Sequence, residues 1–347
     1  MKQSNLFGID LAKNSFQGCL IDRDNQEISN RKLTRNRLVS WLSRQKPMIV
    51  AIEACGSSHY WARVIERLGH QVKILAPTSV SGFRLGHKTD ATDARAIAIA
   101  ARQPKLKTVA PKTEAQQGLQ GVERIRQHLS DHLTATSNMI RGLLAEFGFV
   151  IPKGTKAFKT KVHDLLENVE SELPMPFQYQ LIDCWSYYLE LEGRLKSVES
   201  ARDELIKQHD ACRQLMQLES VGPVNAMGLY LSLGDQGRSF TNGREASACI
   251  GLTPKQYNTG GVVTLGGIGK KSGNRRLRSS LIQGARSVIQ QLVKRAPRNA
   301  KEAWLKALIE RRGEGRAAVA LANKTIRLAW AMLHYGETFR VKQPVSI

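Results

Sequence analysis

The chain lacks any uninterrupted apolar run near the roughly 18 residues that a membrane-crossing helix needs, so no transmembrane helix is expected. It also lacks a signal-like start. Met1-Lys2-Gln3-Ser4-Asn5 leads directly into the strand-like Leu6-Phe7-Gly8-Ile9-Asp10, with no apolar core or small-residue cleavage site, which suits a cytoplasmic protein. Cysteine is sparse: Cys19, Cys55, Cys184, Cys212 and Cys249 stand singly, an odd number without paired spacing. That pattern excludes a disulfide framework and a zinc site of the usual spacing, and fits a reducing compartment. Internal repeats and low-complexity segments are missing too. The longest absence is of acid: between Glu245 and Glu302 there is no Asp or Glu.

What fills that stretch is basic. Lys255, Lys270, Lys271, Arg275, Arg276, Arg278, Arg286, Lys294, Arg295 and Arg298 all fall inside it. Like charges repel unless something neutralises them, so Lys255, Lys270, Lys271, Arg275, Arg276 and Arg278 are candidate phosphate contacts. The competing reading is a solvated helix face. Over the whole chain 52 Lys and Arg oppose 30 Asp and Glu, a formal charge of +22. Such an excess predicts a polyanionic partner, nucleic acid rather than a membrane surface. At 347 residues and 41% hydrophobic content the chain can build two or three domains of roughly 100–200 residues each.

The first hundred residues alternate between strand and helix patterns. Residues 6–10 and 15–21 are β-rich around a short polar turn, and 27–33 adds a third strand. Residues 38–42 fit a short amphipathic helix. Residues 48–53 (Met-Ile-Val-Ala-Ile-Glu) form an apolar run ending in a carboxylate, as a buried central strand does. A helix over 57–68, a strand over 71–76 closed by Pro77, and an Ala-rich helix over about 90–102 follow. This order predicts a mixed sheet with helices packed on it.

The middle is helical. Leu119, Val122, Ile125, Leu129, Leu133, Ile140 and Leu144 recur at three- and four-residue steps, as do Leu181, Trp185, Tyr188, Leu191, Leu195, Val198 and Leu205. The Lys-rich segment 151–156 lies between them. Two such helices form an antiparallel hairpin or offer a dimerisation surface. Leu218-Glu219-Ser220-Val221-Gly222-Pro223-Val224-Asn225-Ala226 has the pattern of a helix-hairpin-helix turn, whose backbone N–H groups can meet a phosphate. Residues from about 302 to 339 are expected to be helical. The expected organisation is 1–112, 113–212 and 213–347.

Four acids stand out. Asp10 lies on the first strand, Glu53 ends the central one, and Asp90 and Asp93 are three apart, on one side of a helix. A carboxylate at a buried strand end is costly to desolvate unless it binds a cation. Several meeting at one point repel unless divalent ions hold them, and two such ions can drive phosphodiester cleavage. All-oxygen ligation favours Mg²⁺ or Mn²⁺. Each acid alone has an ordinary reading; Asp90 as a helix N-cap with Asp93 completing a capping box is one. An actin-like ATPase also begins with a Gly-x-Asp strand, but its later Gly-rich phosphate loops are missing here.

Gly8-Ile9-Asp10-Leu11-Ala12-Lys13, Ile52-Glu53-Ala54-Cys55-Gly56-Ser57 and Lys88-Thr89-Asp90-Ala91-Thr92-Asp93-Ala94-Arg95 resemble the three acidic motifs of the DEDD transposases of insertion-sequence family one-ten, relatives of the Piv-type DNA invertases. The C-terminal segments 251–261 and 265–278 are similar to its eleven-eleven branch. The resemblance implies a RuvC-like ribonuclease H fold, a helical coiled-coil insertion and a mostly helical C-terminal transposase domain. It implies metal-dependent cutting and rejoining of donor and target DNA, with Asp10, Glu53, Asp90 and Asp93 as catalytic metal ligands. It further implies a non-coding guide RNA, a dimer or tetramer, and a place at the bacterial nucleoid. The family uses a C-terminal serine as nucleophile; aligning Gly251-Leu252-Thr253-Pro254 puts Thr259 there. Threonine carries a hydroxyl, but its methyl crowds attack on phosphorus. Thr259, a neighbouring hydroxyl (Tyr257 or Ser272), an impaired copy, and Thr259 as a mere start of the Gly260-Gly261 turn all stand open. A junction-type endonuclease using water is the alternative activity.

Overall fold

Strand β1 (Leu6–Leu11) alternates its side chains between two faces, and both faces are apolar. Phe7 and Ile9 join one buried cluster and Leu6 joins another. In the computed structural model, which describes residues 5–104, 106–167, 173–269 and 273–336, β1 is accordingly a central strand covered on both sides. It pairs antiparallel with β2 (Ser15–Ile21), which pairs antiparallel with β3 (Glu27–Thr34). On its other edge β1 runs parallel to β4 (Ile49–Glu53), and β4 parallel to β5 (Gln71–Leu75). A two-residue strand β6 (Thr108–Val109), absent from the sequence reading, closes the order β3-β2-β1-β4-β5-β6.

This is the ribonuclease H arrangement: an antiparallel meander continued by parallel strands through helical crossovers. Helices α1 (Arg35–Leu42) and α2 (Ser58–Arg67) place Leu38, Leu42, Trp61 and Ile65 on one face, against Phe7, Ile9, Val50 and Ile52. The short α3 (Pro77–Val80) and the Ala-rich α4 (Asp90–Arg102) cover the other face, against Leu6, Cys19, Ala51 and Leu75. The sheet and its helices belong to the first of two compact units, Met1–Gln116 with Ser232–Thr241.

The second unit comprises Gln117–Leu231 and Asn242–Ile347. Two long helices, α5 (Glu114–Ala145) and α7 (Met175–Gln208), form an antiparallel hairpin. Ile140 and Leu144 late in α5 share a core with Leu181 and Tyr188 early in α7, while Arg126 ion-pairs with Glu199 near the other end. The connection is more than a Lys-rich linker. It carries α6 (Thr155–Glu167), whose Phe158, Val162 and Leu165 fill the space between the long helices.

Helices α8 (Asp210–Leu215) and α9 (Pro223–Leu233) flank the Val221-Gly222-Pro223 turn. Gly284 lies so near this turn that a Cβ there would sit 2.4 Å from the Ser220 carbonyl oxygen. Helix α10 (Gly243–Ile250) then leads into a hairpin that the sequence reading left unassigned, β7 (Pro254–Thr259) and β8 (Val262–Ile268). Helices α11 (Arg275–Leu292), α12 (Ala300–Arg312) and α13 (Glu314–Tyr335) complete the unit, with α13 packed against α10, α11 and α12. The helical character expected over about 302–339 is divided between α12 and α13. Gly313, at φ +79, separates the two where an L side chain would be strained. Residues 337–339 of that expected helix lie outside the described residues.

Candidate active site

Alternation along the strands decides which way the acids point. Asp10 shares parity with Leu6 and Gly8, and Glu53 with Ala51, so both project to the face that carries α4. The register of β1 with β4 ends at Ile9 opposite Ile52, which makes Asp10 and Glu53 the next residues along neighbouring parallel strands. The carboxyl ends of parallel strands are where open α/β sheets place their ligands.

Helix α4 brings the other two acids. Its N-cap is Thr89, whose hydroxyl accepts from the Thr92 N–H at 3.2 Å, while Thr92 Oγ1 accepts from the Thr89 N–H at 3.0 Å. This reciprocal pair is a capping box. The ordinary reading of Asp90 and Asp93 as the cap is thereby corrected: threonines do that work, and the acids occupy the first turn without capping it. Asn30 Nδ2 also donates to the Ala91 carbonyl at 3.0 Å, tying the start of α4 to β3.

How near α4 can come to the sheet is set by Gly8. A Cβ on Gly8 would lie 2.5 Å from the Ala94 carbonyl oxygen and 2.5 Å from the Ala98 nitrogen. The bare backbone of β1 and the alanine face of α4 together put Asp10 in the field of Asp90 and Asp93, and Glu53 in that of Asp10 and Asp93. Burial raises the Asp10 pKa, and the Asp93 and Asp90 charges raise it further, against the Lys88 and Arg84 charges. Burial likewise raises that of Glu53, with Asp10 and Asp93 adding and Arg84 and Lys88 opposing.

Arg84 is the group that sequence reasoning missed. Its Nε donates to Asp93 Oδ1, and both side chains are mostly shielded from solvent. Lys88 stands on the same approach. The available signal was a pair of cations four apart just before the acidic helix start. Among the described residues no three acid, histidine or cysteine side chains gather closely enough to cage an ion as they stand. The donor set itself suits a hard divalent cation: four carboxylates, two of them held protonation-prone by burial and by one another.

The remaining sequence candidates belong to the second unit. Thr259 is exposed, the last residue of β7, paired with Val262 across Gly260 and Gly261. Those glycines have φ of +58 and +82, as a two-residue type I′ hairpin requires. Thr259 thus does start the turn, and its hydroxyl stands at a hairpin tip. Tyr257 is exposed on the same strand, whereas Ser272 lies outside the described residues.

Lys255, Arg275 and Arg276 are exposed, and Arg276 Nη2 donates to Asp131 at 2.9 Å. Arg278 is corrected as a phosphate contact. It is buried at 5% exposure and its Nη1 donates to the Ile250 carbonyl, so the guanidinium serves the interior. Lys270 and Lys271 lie outside the described residues.

Residues 7–149 match a transposase family of the DEDD type from IS110 elements, and residues 212–301 match the family described as transposase IS116/IS110/IS902. The chain is 36% identical to a probable family 20 transposase of Pseudomonas aeruginosa, covering 96% of this chain and 98% of that one. It is 36% identical to the transposase for insertion sequence element IS1111A of Coxiella burnetii, over 98% and 92% of the two chains. It is 33% identical to the transposase for IS1328 of Yersinia enterocolitica, over 98% and 99%. Among solved structures, T. thermophilus RuvC in complex with a Holliday junction substrate aligns with 31% of this chain and 100% of its own, at 15% identity and a TM-score of 0.26. The relatives span nearly the whole of this chain, and it belongs to the IS110 family of DEDD transposases.

Proposed function

We propose that the chain cuts and rejoins the DNA strands at the ends of an insertion sequence, with Asp10, Glu53, Asp90 and Asp93 holding divalent metal and Thr259 supplying the attacking hydroxyl. The observation that supports this reading best is the placing of the four acids. Two parallel strand ends and one helix start, brought close by Gly8, set them on one face of the sheet. When bound, Mg²⁺ or Mn²⁺ at these carboxylates supplies Lewis-acid activation of the scissile phosphodiester.

The chain's own groups have the following tasks. Asp10 and Glu53 give a rigid base to the site because their strands are central. Asp90 and Asp93 join it through α4, and Asp93 leaves Arg84 to do so. Thr259 Oγ1 attacks phosphorus, forming a Thr–O–P bond while a deoxyribose oxygen leaves and takes up a proton. That free hydroxyl, or the one from a second strand, then attacks the same phosphorus and releases Thr259. The bond count is conserved, so no external energy source is needed. The +22 charge supports large nucleic-acid partners, donor and target DNA. The family resemblance supports a non-coding guide RNA and a dimer or tetramer.

The test is recombination of an element-bearing plasmid by the full chain and its Asp10→Ala and Glu53→Ala variants, with DNA binding measured alongside. Both variants are expected to lose recombination and keep binding. Recombination by either variant would overturn the metal-site reading.

A further inference from the structure

The second unit contains a groove of about 1250 Å³ that the cutting chemistry does not use. One wall is a single face of α13, where Arg316, Val319, Asn323, Lys324, Arg327 and Leu328 recur at helical spacing. Another is the start of α10, brought in by Gly243: a Cβ there would lie 2.9 Å from the Arg327 Cα. This carries Arg244 to the same opening. Trp304 of α12 also lines the groove, 37% exposed although it is one of the largest apolar side chains in the unit.

Two features define what fits. The charge is of one sign: Arg244, Arg316, Lys324 and Arg327 line the groove and no acid does, among the described residues. Lys324 is crowded enough that burial, with the Lys301 and Arg327 charges, lowers its ammonium pKa, Glu219 opposing. The second feature is aromatic. The Lys324 ammonium lies 4.5 Å from the centre of the Trp304 ring, so the indole face already holds a polar guest. An apolar floor, a partly exposed indole and a lining whose charged groups are all cations are complementary to a flat base carried on phosphates. A peptide helix would need only the apolar part, and a duplex would present its bases already stacked.

We propose that this groove holds an unpaired nucleotide of a single-stranded nucleic acid, its base against the Trp304 indole and its flanking phosphates against Arg244, Arg316 and Arg327. The base takes the place of the Lys324 ammonium over the ring, and the ammonium turns to a phosphate. The inference rests on the transposase reading only for the presence of nucleic acid; it does not depend on the carboxylates or on Thr259.

The experiment is fluorescence anisotropy of the full chain with oligothymidylate and oligouridylate of about 12 nucleotides, the span of a single-strand site, and with a duplex of equal length. Trp304→Ala is expected to weaken single-strand binding about tenfold while leaving its salt dependence unchanged, since stacking releases no counterions. Trp304→Phe is expected to restore most of the loss. Arg316→Ala and Arg327→Ala are each expected to reduce the salt slope by about 0.7. Loss with only one of the two sugars supports the proposal and assigns the groove to that nucleic acid. Unchanged single-strand affinity, or an equal loss with duplex, overturns it. A changed sedimentation coefficient with unchanged oligonucleotide affinity also overturns it, because the groove then seats a second copy of the chain. Asp10→Ala should retain the Trp304-dependent binding, which separates failure of the groove from failure of the cutting site.

Discussion

Gly8 of β1 and Ala98 of α4 touch backbone to backbone, closely enough that a Cβ on Gly8 would be 2.5 Å from the Ala98 nitrogen and 2.8 Å from the Ala98 Cβ. No flexible side chain stands between them to yield. Gly8→Ala must therefore push α4 off the sheet, at a cost of about 1–3 kcal/mol typical of overpacking. The displacement carries Asp90 and Asp93 away from Asp10 and Glu53. Urea denaturation should show the lower midpoint, and strand cleavage should fall far more than the folded fraction does. Ala98→Gly in the same chain removes only the Cβ part of the clash, so partial recovery is expected. Full stability and activity in Gly8→Ala would show that the close approach is not what aligns the acids.

Arg84 holds Asp93 with its own positive charge. If these acids hold a metal ion, that guanidinium competes with it for the Asp93 carboxylate, and its charge, which acts to lower the pKa values of Asp10 and Glu53, also repels a cation there. Both effects have one sign. Arg84→Ala should lower the Mg²⁺ concentration for half-maximal cleavage by roughly threefold to tenfold, equivalent to about 1 kcal/mol for a partly exposed pair. A titration of cleavage rate against Mg²⁺ reads this directly. A raised Mg²⁺ requirement would mean that Arg84 orients the acids rather than guarding them.

The sheet was legible because strands buried on both faces must be apolar throughout, and 48–53 has that character with its acid at the end. The pairing of Asp90 with Asp93 was legible from helix geometry alone. Arg84 was not, because its role depends on a loop path between α3 and α4 that no periodicity encodes. Helix α6 was hidden by the Lys-rich start of its segment, although Phe158, Val162 and Leu165 carry a helical rhythm. The β7–β8 hairpin was hidden for a physical reason as well: nearly all its residues are exposed, so it lacks the in-out alternation that marks a half-buried strand. Its Gly260-Gly261 turn was the readable signal. Arg278 looked like its basic neighbours because charge alone does not tell an inward helix face from an outward one.

Glu302 sits at the third position of α12 and anchors the helix start. Arg295 donates to it through both Nη atoms at 2.7 Å, and the Arg298 N–H donates at 2.7 Å. The Arg295 hydrogen bonds, with the one from the Arg298 N–H, hold its pKa at about 2 instead of 4.5. A carboxyl whose folded pKa is depressed stabilises the fold fully above its unfolded value. That contribution is lost as pH falls from about 4.5 through about 2. Glu302→Gln should therefore cost about 1 kcal/mol near neutral pH, a discounted value because the Arg295 partner is partly exposed. The difference from the parent should narrow as pH drops through that window. Urea midpoints across the acid range check the sign; a difference that widens toward acid would refute the assignment.

Thr259 stands at a hairpin tip, where its hydroxyl is exposed and its backbone is ordinary strand. The two residues that need positive φ are Gly260 and Gly261, so changes at 259 leave the turn intact. Thr259→Val keeps the β-branched shape and removes only the hydroxyl. If Thr259 Oγ1 attacks phosphorus, this variant should form no covalent protein–DNA adduct on a denaturing gel, and recombination should drop on the order of a thousandfold or more, as for lost nucleophiles elsewhere. Thr259→Ser keeps the hydroxyl and removes the methyl that crowds in-line attack, so its adduct should form at least as fast as the parent's. Adduct formation by Thr259→Val would transfer the role to another hydroxyl, with Tyr257→Phe the next variant to compare. Strand cleavage with no adduct in the parent chain would instead make water the nucleophile, and the enzyme a junction-type nuclease on the same four carboxylates.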